Sequence, residues 1–364
     1  MPRSVLFINA CTSMWGAEES MLELAEELEE LGYETHLMTC LEQLESTWNV
    51  RVSPAPTIRV RASRRESSFG RLLRTVAFSF RTATVPPAEV VVIFSHYLLP
   101  LAALLRVQSR ILRRPQPCIV FDVHDNLSTP RASFVTRAFI RFVDQVIVVS
   151  HFTASHLPAD RPSTHVLYRS IRPPSAKPDT RSHEPFICGV VGRIDPEKNH
   201  ALVVEAIAAL PHVHLAIRGS AAATDTQYAD GVTQKARARL GDRLHLDGRV
   251  PRDSALDNLD VLIVANAEEP MGRTVGEAQL AGIPVITPNV GGSSELVEHE
   301  VTGLAYRAGD ALDLQKSIER MRLDPNLRAR VVSAAKIAAR SRHGISAYAR
   351  SYAAAFGDLN QQRH

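Results

Sequence analysis

The segment Glu268-Glu269-Pro270-Met271-Gly272-Arg273-Thr274-Val275-Gly276-Glu277 carries two carboxylates, Glu269 and Glu277, with seven residues between them. Pro270 suits the first turn of a helix and Gly282 its end. That reading puts Glu269 just before the helix and Glu277 about two turns inside it. Amides of Gly272, Arg273 and Thr274 then form an edge for an anion or a hydroxyl, strengthened by the helix dipole. Glu269 beside that edge can accept hydrogen bonds from sugar hydroxyls, and Glu277 can grip a ribose diol. A bare pair of glutamates at this spacing reads more readily as a solvated helix face. The proline, the glycine and the following Gly282-Ile283-Pro284-Val285-Ile286 run favour a site.

A second candidate is Val191-Gly192-Arg193-Ile194-Asp195-Pro196-Glu197-Lys198-Asn199, between an apolar strand pattern and a helical one. Arg193 offers a planar fork matched to phosphate oxygens, and Lys198 a compact ammonium. Together they can neutralise a diphosphate, although the same stretch also fits a polar loop with a capping Asp195. Phe121-Asp122-Val123-His124-Asp125 lies at a predicted strand end, where His124 could touch a bound sugar or be a structural histidine. Asp122, His124 and Asp125 hint at a metal, but no second acidic or histidine cluster stands at ligand spacing, and no metal is expected. Gly16, in Trp15-Gly16-Ala17-Glu18-Glu19, would let backbone amides approach a phosphate or an acceptor. Neither GxGxxG nor a Walker Gly-Lys-Ser/Thr occurs, which weighs against dinucleotide oxidoreductases and P-loop enzymes.

The elements that must hold these residues alternate. Val5–Ile8 reads as a buried strand. Met21, Leu24, Ala25, Leu28 and Leu31 recur at helical spacing, with Gly32 ending that helix. Strands follow at Glu34–Thr39, Val90–Phe94, Ile119–Asp122 and Val146–Val149. Prolines and serines at 171–185 mark an exposed linker. The rhythm restarts with a strand at Phe186–Val191, a helix at His200–Leu210, a strand at Val213–Ile217 and a helix at Tyr228–Leu240. Strands at Arg243–Leu246, Val261–Val264 and Pro284–Ile286 follow. Strand, helix, strand in this order predicts two α/β domains with doubly wound parallel sheets, over 1–170 and 186–344. A last helical stretch, about Ile345–Leu359, is expected to return residues 345–364 to the first domain. Ligands of such sheets bind beyond the strands' carboxyl ends, so an interdomain cleft is the expected site.

With 45% hydrophobic and 22% charged residues among 364, the composition is that of a chain burying real cores. A formal charge of +3 does not point to nucleic acid. Cys11, Cys40, Cys118 and Cys188 are scattered without a CxxC pair, which fits four buried thiols in a reducing cytoplasm. No signal peptide and no membrane-length apolar run are seen. An Arg-rich stretch, Arg59 to Arg81, interleaved with Phe69, Leu72, Leu73, Val76, Phe78 and Phe80, could be a solvated helix or a peripheral contact with an anionic membrane face.

The spacing of these elements resembles the family 4 retaining glycosyltransferases of the GT-B fold over essentially the whole chain. The resemblance rests on Gly16, His124, Ser150, Arg193, Lys198, Glu269, Glu277 and the run Gly291-Gly292-Ser293-Ser294-Glu295-Leu296-Val297. It implies two Rossmann-like domains, the first on the acceptor side and the second binding a nucleotide-sugar, with UDP the default nucleotide. It further implies that Arg193 and Lys198 bind the donor diphosphate, Glu269 the sugar and Glu277 the ribose. His124 would lie by the sugar, Gly16 near phosphates and acceptor, and backbone near Arg249 and Val250 at the base. The sequence departs from the family pattern at Trp15, at Tyr168-Arg169-Ser170-Ile171, at Asn266 and at Met271. These touch acceptor and sugar specificity rather than the diphosphate and ribose grips.

No residue is a convincing covalent nucleophile, so front-face, metal-independent transfer with retention is expected, with no cofactor. The acceptor is open: a glycan precursor, a lipid or a secondary metabolite. A nucleotide-sugar epimerase of similar fold would turn over donor alone, and a noncatalytic nucleotide-sugar-binding protein would not turn it over at all.

Overall fold

A computed structural model describes residues 4–9, 16–39, 51–54, 88–127, 129–174, 185–221 and 226–362. Trp15, Cys11, Cys40, the Arg59–Arg81 stretch and much of the linker lie outside the described residues. The chain divides into two compact units. Met1–Ser170 and Ile345–His364 form one, and Ile171–Gly344 the other.

The strands of the first unit are β1 (Ser4–Asn9), β2 (Glu34–Thr39), β3 (Arg51–Pro54), β4 (Val90–Ile93), β5 (Cys118–Val123), β6 (Gln145–Val148) and β7 (Ser163–Val166). The central ones, β1, β4, β5 and β6, are short runs buried on both faces, as all-parallel strands are. The strand order is β3-β2-β1-β4-β5-β6-β7, with every neighbouring pair parallel. Helix α1 (Gly16–Glu30) follows β1, α2 (Pro100–Ile111) precedes β5, and α3 (Pro130–Phe139) lies between β5 and β6. A short helix, α4 (His151–Ser155), follows β6, with Ser150 as its cap. Leu101, Ala102 and Leu105 of α2 and Ala132 of α3 pack in one cluster with Ile8, Ile93 and Phe121. Leu22 and Leu28 of α1 pack in another with Phe7, Val92, Tyr348, Tyr352 and Phe356. The sheet is therefore covered by α2 and α3 on one face, and on the other by α1 and the chain's last helix.

The second unit repeats the plan. Its strands are β8 (Phe186–Val191), β9 (Val213–Arg218), β10 (Leu244–Gly248), β11 (Val261–Ile263), β12 (Val285–Pro288) and β13 (Leu304–Tyr306). The order is β10-β9-β8-β11-β12-β13, again parallel throughout. Its helices are α5 (His200–Ala208), α6 (Thr226–Leu240), α7 (Arg273–Ala281), α8 (Ala311–Leu323) and α9 (Pro325–Arg342); α10 (Ile345–Gln362) then belongs to the first unit. Strand order reverses between β8 and β11, so the loops leaving these two strands open onto the switch point where such sheets bind ligands. One is the Arg193–Lys198 loop and the other carries Glu269.

Pro270 is not in the first turn of a helix. Gly272 adopts the left-handed region (φ 87°), which a continuing helix cannot include, so α7 starts only at Arg273. Pro270 shapes the loop instead, whereas Gly282, also left-handed, ends the helix as read. Cys118 and Cys188 are buried free thiols. Among the described residues, no helix is long and apolar enough to cross a membrane.

Candidate active site

The Arg193–Lys198 loop is held at both ends. Gly192 N donates to Arg218 O (2.9 Å) and Ile194 N to Ser220 O (3.0 Å), extending the β8–β9 ladder. Asp195 then caps a single turn over Pro196–Lys198, its Oδ1 accepting from Lys198 N at 3.1 Å. Asn199, left-handed at φ 47°, turns the chain into α5. Arg193 is about half exposed, its Nε 3.5 Å from the Asp195 carboxylate.

The loop after β11 meets this cationic loop directly. Lys198 Nζ donates to Glu269 Oε2 at 2.5 Å, and Asn266 Nδ2 donates to the same oxygen at 3.1 Å. Asn266 Oδ1 accepts from Glu268 N at 2.9 Å, so one amide side chain fixes both the loop and its carboxylate. The Gly291-Gly292 turn supports the loop from below. Gly292 N donates to Glu269 O at 2.7 Å. A Cβ on Gly292 would stand 1.9 Å from Pro270 O, so only glycine permits this approach.

Glu277 faces two guanidinium groups. Its Oε1 accepts from Arg252 Nε at 2.9 Å and from Arg273 Nε at 3.1 Å. Arg252 also donates to Arg172 O at 3.0 Å, tying Glu277 to the start of the linker. Sequence reasoning missed Arg252, because nothing in the run after β10 signals a partner for a helix that starts twenty residues later. Asn266, read as a departure from a family pattern, turns out to be the residue that orients Glu269. Arg249 and Val250 follow β10, exposed and half-buried, next to Gly248 with φ 67°. Gly272, Arg273 and Thr274 open α7, where Gly272 provides no side chain to cap the helix.

His200, the first residue of α5, is fully buried with neither ring nitrogen hydrogen-bonded. Burial lowers its pKa to about 4; Asp195 opposes that shift and Lys198 adds to it.

Gly16 and His124 belong to the first unit. Gly16 opens α1, its carbonyl accepting from Ser20 Oγ at 3.0 Å. His124 follows β5, its ring 6.2 Å from Phe94, its Nε2 3.6 Å from Asp125 Oδ2 and its Nδ1 buried and unpaired. Asp122 points elsewhere. It accepts from Arg169 Nη2 at 3.0 Å and from Tyr352 Oη at 2.8 Å, inside the unit. Burial opposes the charge of Arg169, but Asp122, Tyr348 and Tyr352 outweigh it and raise its pKa. Among the described residues, no three His, Cys, Asp or Glu side chains converge as a metal site would require.

The Lys198–Glu269 contact brings the two most informative motifs to one point, and the chain's relatives can be set beside it. A family model described as glycosyl transferases group 1 matches residues 173–338, and a glycosyl transferase 4-like domain matches residues 16–168. Together the two models take in both units, and the chain has the GT-B fold of family 4-like glycosyltransferases. Curated relatives include a 2-deoxystreptamine glucosyltransferase of Streptomyces kanamyceticus, 32% identical over 142 residues, or 38% of this chain and 37% of the relative. Another is a D-inositol 3-phosphate glycosyltransferase of Mycobacterium bovis, 31% identical over 195 residues, 49% of this chain and 39% of the relative. These matches span less than half the length of the relatives. Among solved structures, Anabaena HepE in complex with UDP and glucose superposes with a TM-score of 0.77 at 21% identity, covering 98% of this chain and 100% of that one. Sucrose-phosphate synthase of Thermosynechococcus elongatus gives 0.82 at 21% identity, covering 99% and 98%.

Proposed function

We propose that this glycosyltransferase moves a sugar from a nucleotide-sugar, with UDP as the nucleotide, to an acceptor hydroxyl with retention of configuration and without a metal. The observation that carries this reading is the Lys198–Glu269 pair beside the switch point of the second sheet. An ammonium meant for a diphosphate and a carboxylate meant for sugar hydroxyls hold one another there at 2.5 Å. A donor placed across them gives each a new partner of the right charge. The UDP-bound complexes of HepE support the choice of nucleotide.

In the reaction we propose, the bond from the sugar C1 to the β-phosphate oxygen breaks, leaving an oxocarbenium-like centre. Arg193, Lys198 and the opening amides of α7 stabilise the oxygens that gain charge; one such preorganised donor is worth roughly 3–4 kcal/mol. The acceptor oxygen bonds to C1 on the face the phosphate left, and its proton passes to the departing phosphate. The products are the glycoside and a nucleoside diphosphate. Glu269, held by Asn266, orients the sugar, and Glu277, held by Arg252 and Arg273, takes the ribose. His124 and Gly16 serve the acceptor-side unit.

A thermal-shift panel of UDP-, GDP-, ADP- and dTDP-sugars tests the donor, since a ligand that binds only the folded state raises the melting temperature. Stabilisation by UDP-sugars above the others is expected, followed by an NMR product spectrum showing the donor's anomeric configuration. An inverted product, or turnover that stops on chelation, would contradict the mechanism. Donor turnover at equal rate without any acceptor would favour an epimerase.

A further inference from the structure

The two helices on one face of the first sheet carry an outer surface that the proposed chemistry does not use. On α2 the exposed positions Val107, Arg110 and Ile111 follow the i, i+3, i+4 spacing of a single helix stripe, and exposed Arg113 and Arg114 stand just past the helix end. Ile111 is 74% exposed and Val107 52%, unusual for large apolar side chains with a core available a turn away. On α3 the exposed residues are Arg131, Phe134 and Arg137, with Arg141 just beyond, and Phe134 is 73% exposed. The buried residues of the same helices, Leu101, Leu105 and Ala132, face the sheet in one cluster, so both stripes look outward from the same sheet face.

Charge on this face is of one sign. No Asp or Glu occurs from Pro100 to Arg114 or from Pro130 to Val143. Six exposed arginines stand there: Arg110, Arg113, Arg114, Arg131, Arg137 and Arg141. The seventh, Arg106, is spent internally on Asp144 and on the carbonyls of Pro117 and Phe142. On the opposite face of the same sheet α1 has seven glutamates, Glu18 and Glu23 of them buried, and no lysine or arginine, while α10 beside it carries one exposed arginine, Arg350.

We infer that the outer face of α2 and α3 docks on an anionic lipid surface. Exposed Ile111, Val107 and Phe134 enter the headgroup boundary while the arginines that alternate with them meet lipid phosphates. Isolated apolar side chains among cations suit a bilayer, where an apolar layer lies just below a layer of negative charge. A nucleic acid would use the arginines but leave two aliphatic side chains in water. Long arginine stems let the apolar atoms go down while the guanidinium groups stay at phosphate level. This inference stands apart from the donor site and does not depend on it.

Co-sedimentation of the full chain with vesicles of phosphatidylcholine alone, and of phosphatidylcholine mixed equally with phosphatidylglycerol, tests it. Binding to the mixed vesicles only, weakened by salt, is expected. At about fivefold per arginine near an anionic surface, the triple substitution R110Q/R113Q/R114Q should weaken binding by roughly a hundredfold. Phe134→Ser should weaken it several-fold with the salt dependence kept. These positions are exposed, so melting temperatures should not move, and UDP-sugar stabilisation should match the parent's. Undiminished vesicle binding by the triple variant would place the membrane contact elsewhere and overturn the inference. Tight binding to a duplex oligonucleotide, with none to anionic vesicles, would also overturn it.

Discussion

Two ion pairs, one in each unit, are made from the same kinds of group and differ in what surrounds them. Arg169 and Asp122 in the first unit are sealed, with side chains 6% and 1% exposed, and Tyr352 closes the second carboxylate oxygen. Lys198 and Glu269 in the second unit lie in neighbouring loops and keep 24% and 16% of their surface in solvent. A sealed pair cannot trade its partner for a ligand without leaving a charge stranded in low dielectric. A half-open pair can, because water and then substrate can reach each group. Burial, not the identity of the charges, separates a pair that holds the fold from one that can serve a reaction.

Breaking the sealed pair gives the largest expected effect. Asp122→Ala strands Arg169 and removes the acceptor of Tyr352, and should destabilise the first unit by about 3–5 kcal/mol. Urea unfolding would show it as a lower midpoint, and a midpoint shift too small to resolve would remove the contrast. Breaking the open pair should leave stability nearly untouched, within about 1 kcal/mol, while Lys198→Ala or Glu269→Gln lowers turnover roughly 100- to 1,000-fold. Steady-state rates and melts on the same preparations check both halves.

The contrast also explains what could be read from residue order. The Glu269–Gly282 helix signature and the Arg193–Lys198 loop are each contiguous, and parallel βα units place both at one switch point. The doubly wound plan followed from the central strands, whose apolar runs are buried on both sides. The edges did not: β7 (Ser163–Val166) is polar and partly exposed, and β13 has three residues, so neither carries a clear period. Strand and helix ends moved by a residue or two, as at Val285–Pro288 and His200–Ala208. Asp122 and Tyr352 meet across 230 residues and Arg252 and Glu277 across 25, in pairings that only the assembled unit specifies. On β5 Asp122 shares its face with Cys118 and Val120, which pack with Tyr348 and Tyr352; because both faces of this strand are buried, residue order alone does not show which side it takes.

A third test uses the histidine behind the cationic loop. His200 is neutral when folded, with a pKa near 4 against an ordinary 6.5. Above pH 6.5 neither state is protonated and its contribution to stability is complete. As pH falls from 6.5 to 4 the unfolded chain takes up a proton that the folded chain refuses, so stability declines. That gap corresponds to about 3 kcal/mol. Urea midpoints across this range should fall more steeply for the parent than for His200→Gln, and equal slopes would refute the assignment. A smaller effect is expected at the ribose end. Arg252→Gln loses one charge-assisted hydrogen bond to Glu277 and should weaken donor affinity roughly tenfold, with kcat little changed. Calorimetric titration with UDP-glucose would read it, and a fall in kcat at constant affinity would assign Arg252 differently.

The most direct test of the idea that Lys198 and Glu269 act on one activated sugar is a double-mutant cycle on kcat/KM with Lys198→Ala and Glu269→Gln. Groups that work as one unit lose most of their effect with the first substitution. The double variant should therefore be little slower than the worse single variant. Losses that multiply would show two independent contributions and contradict the account.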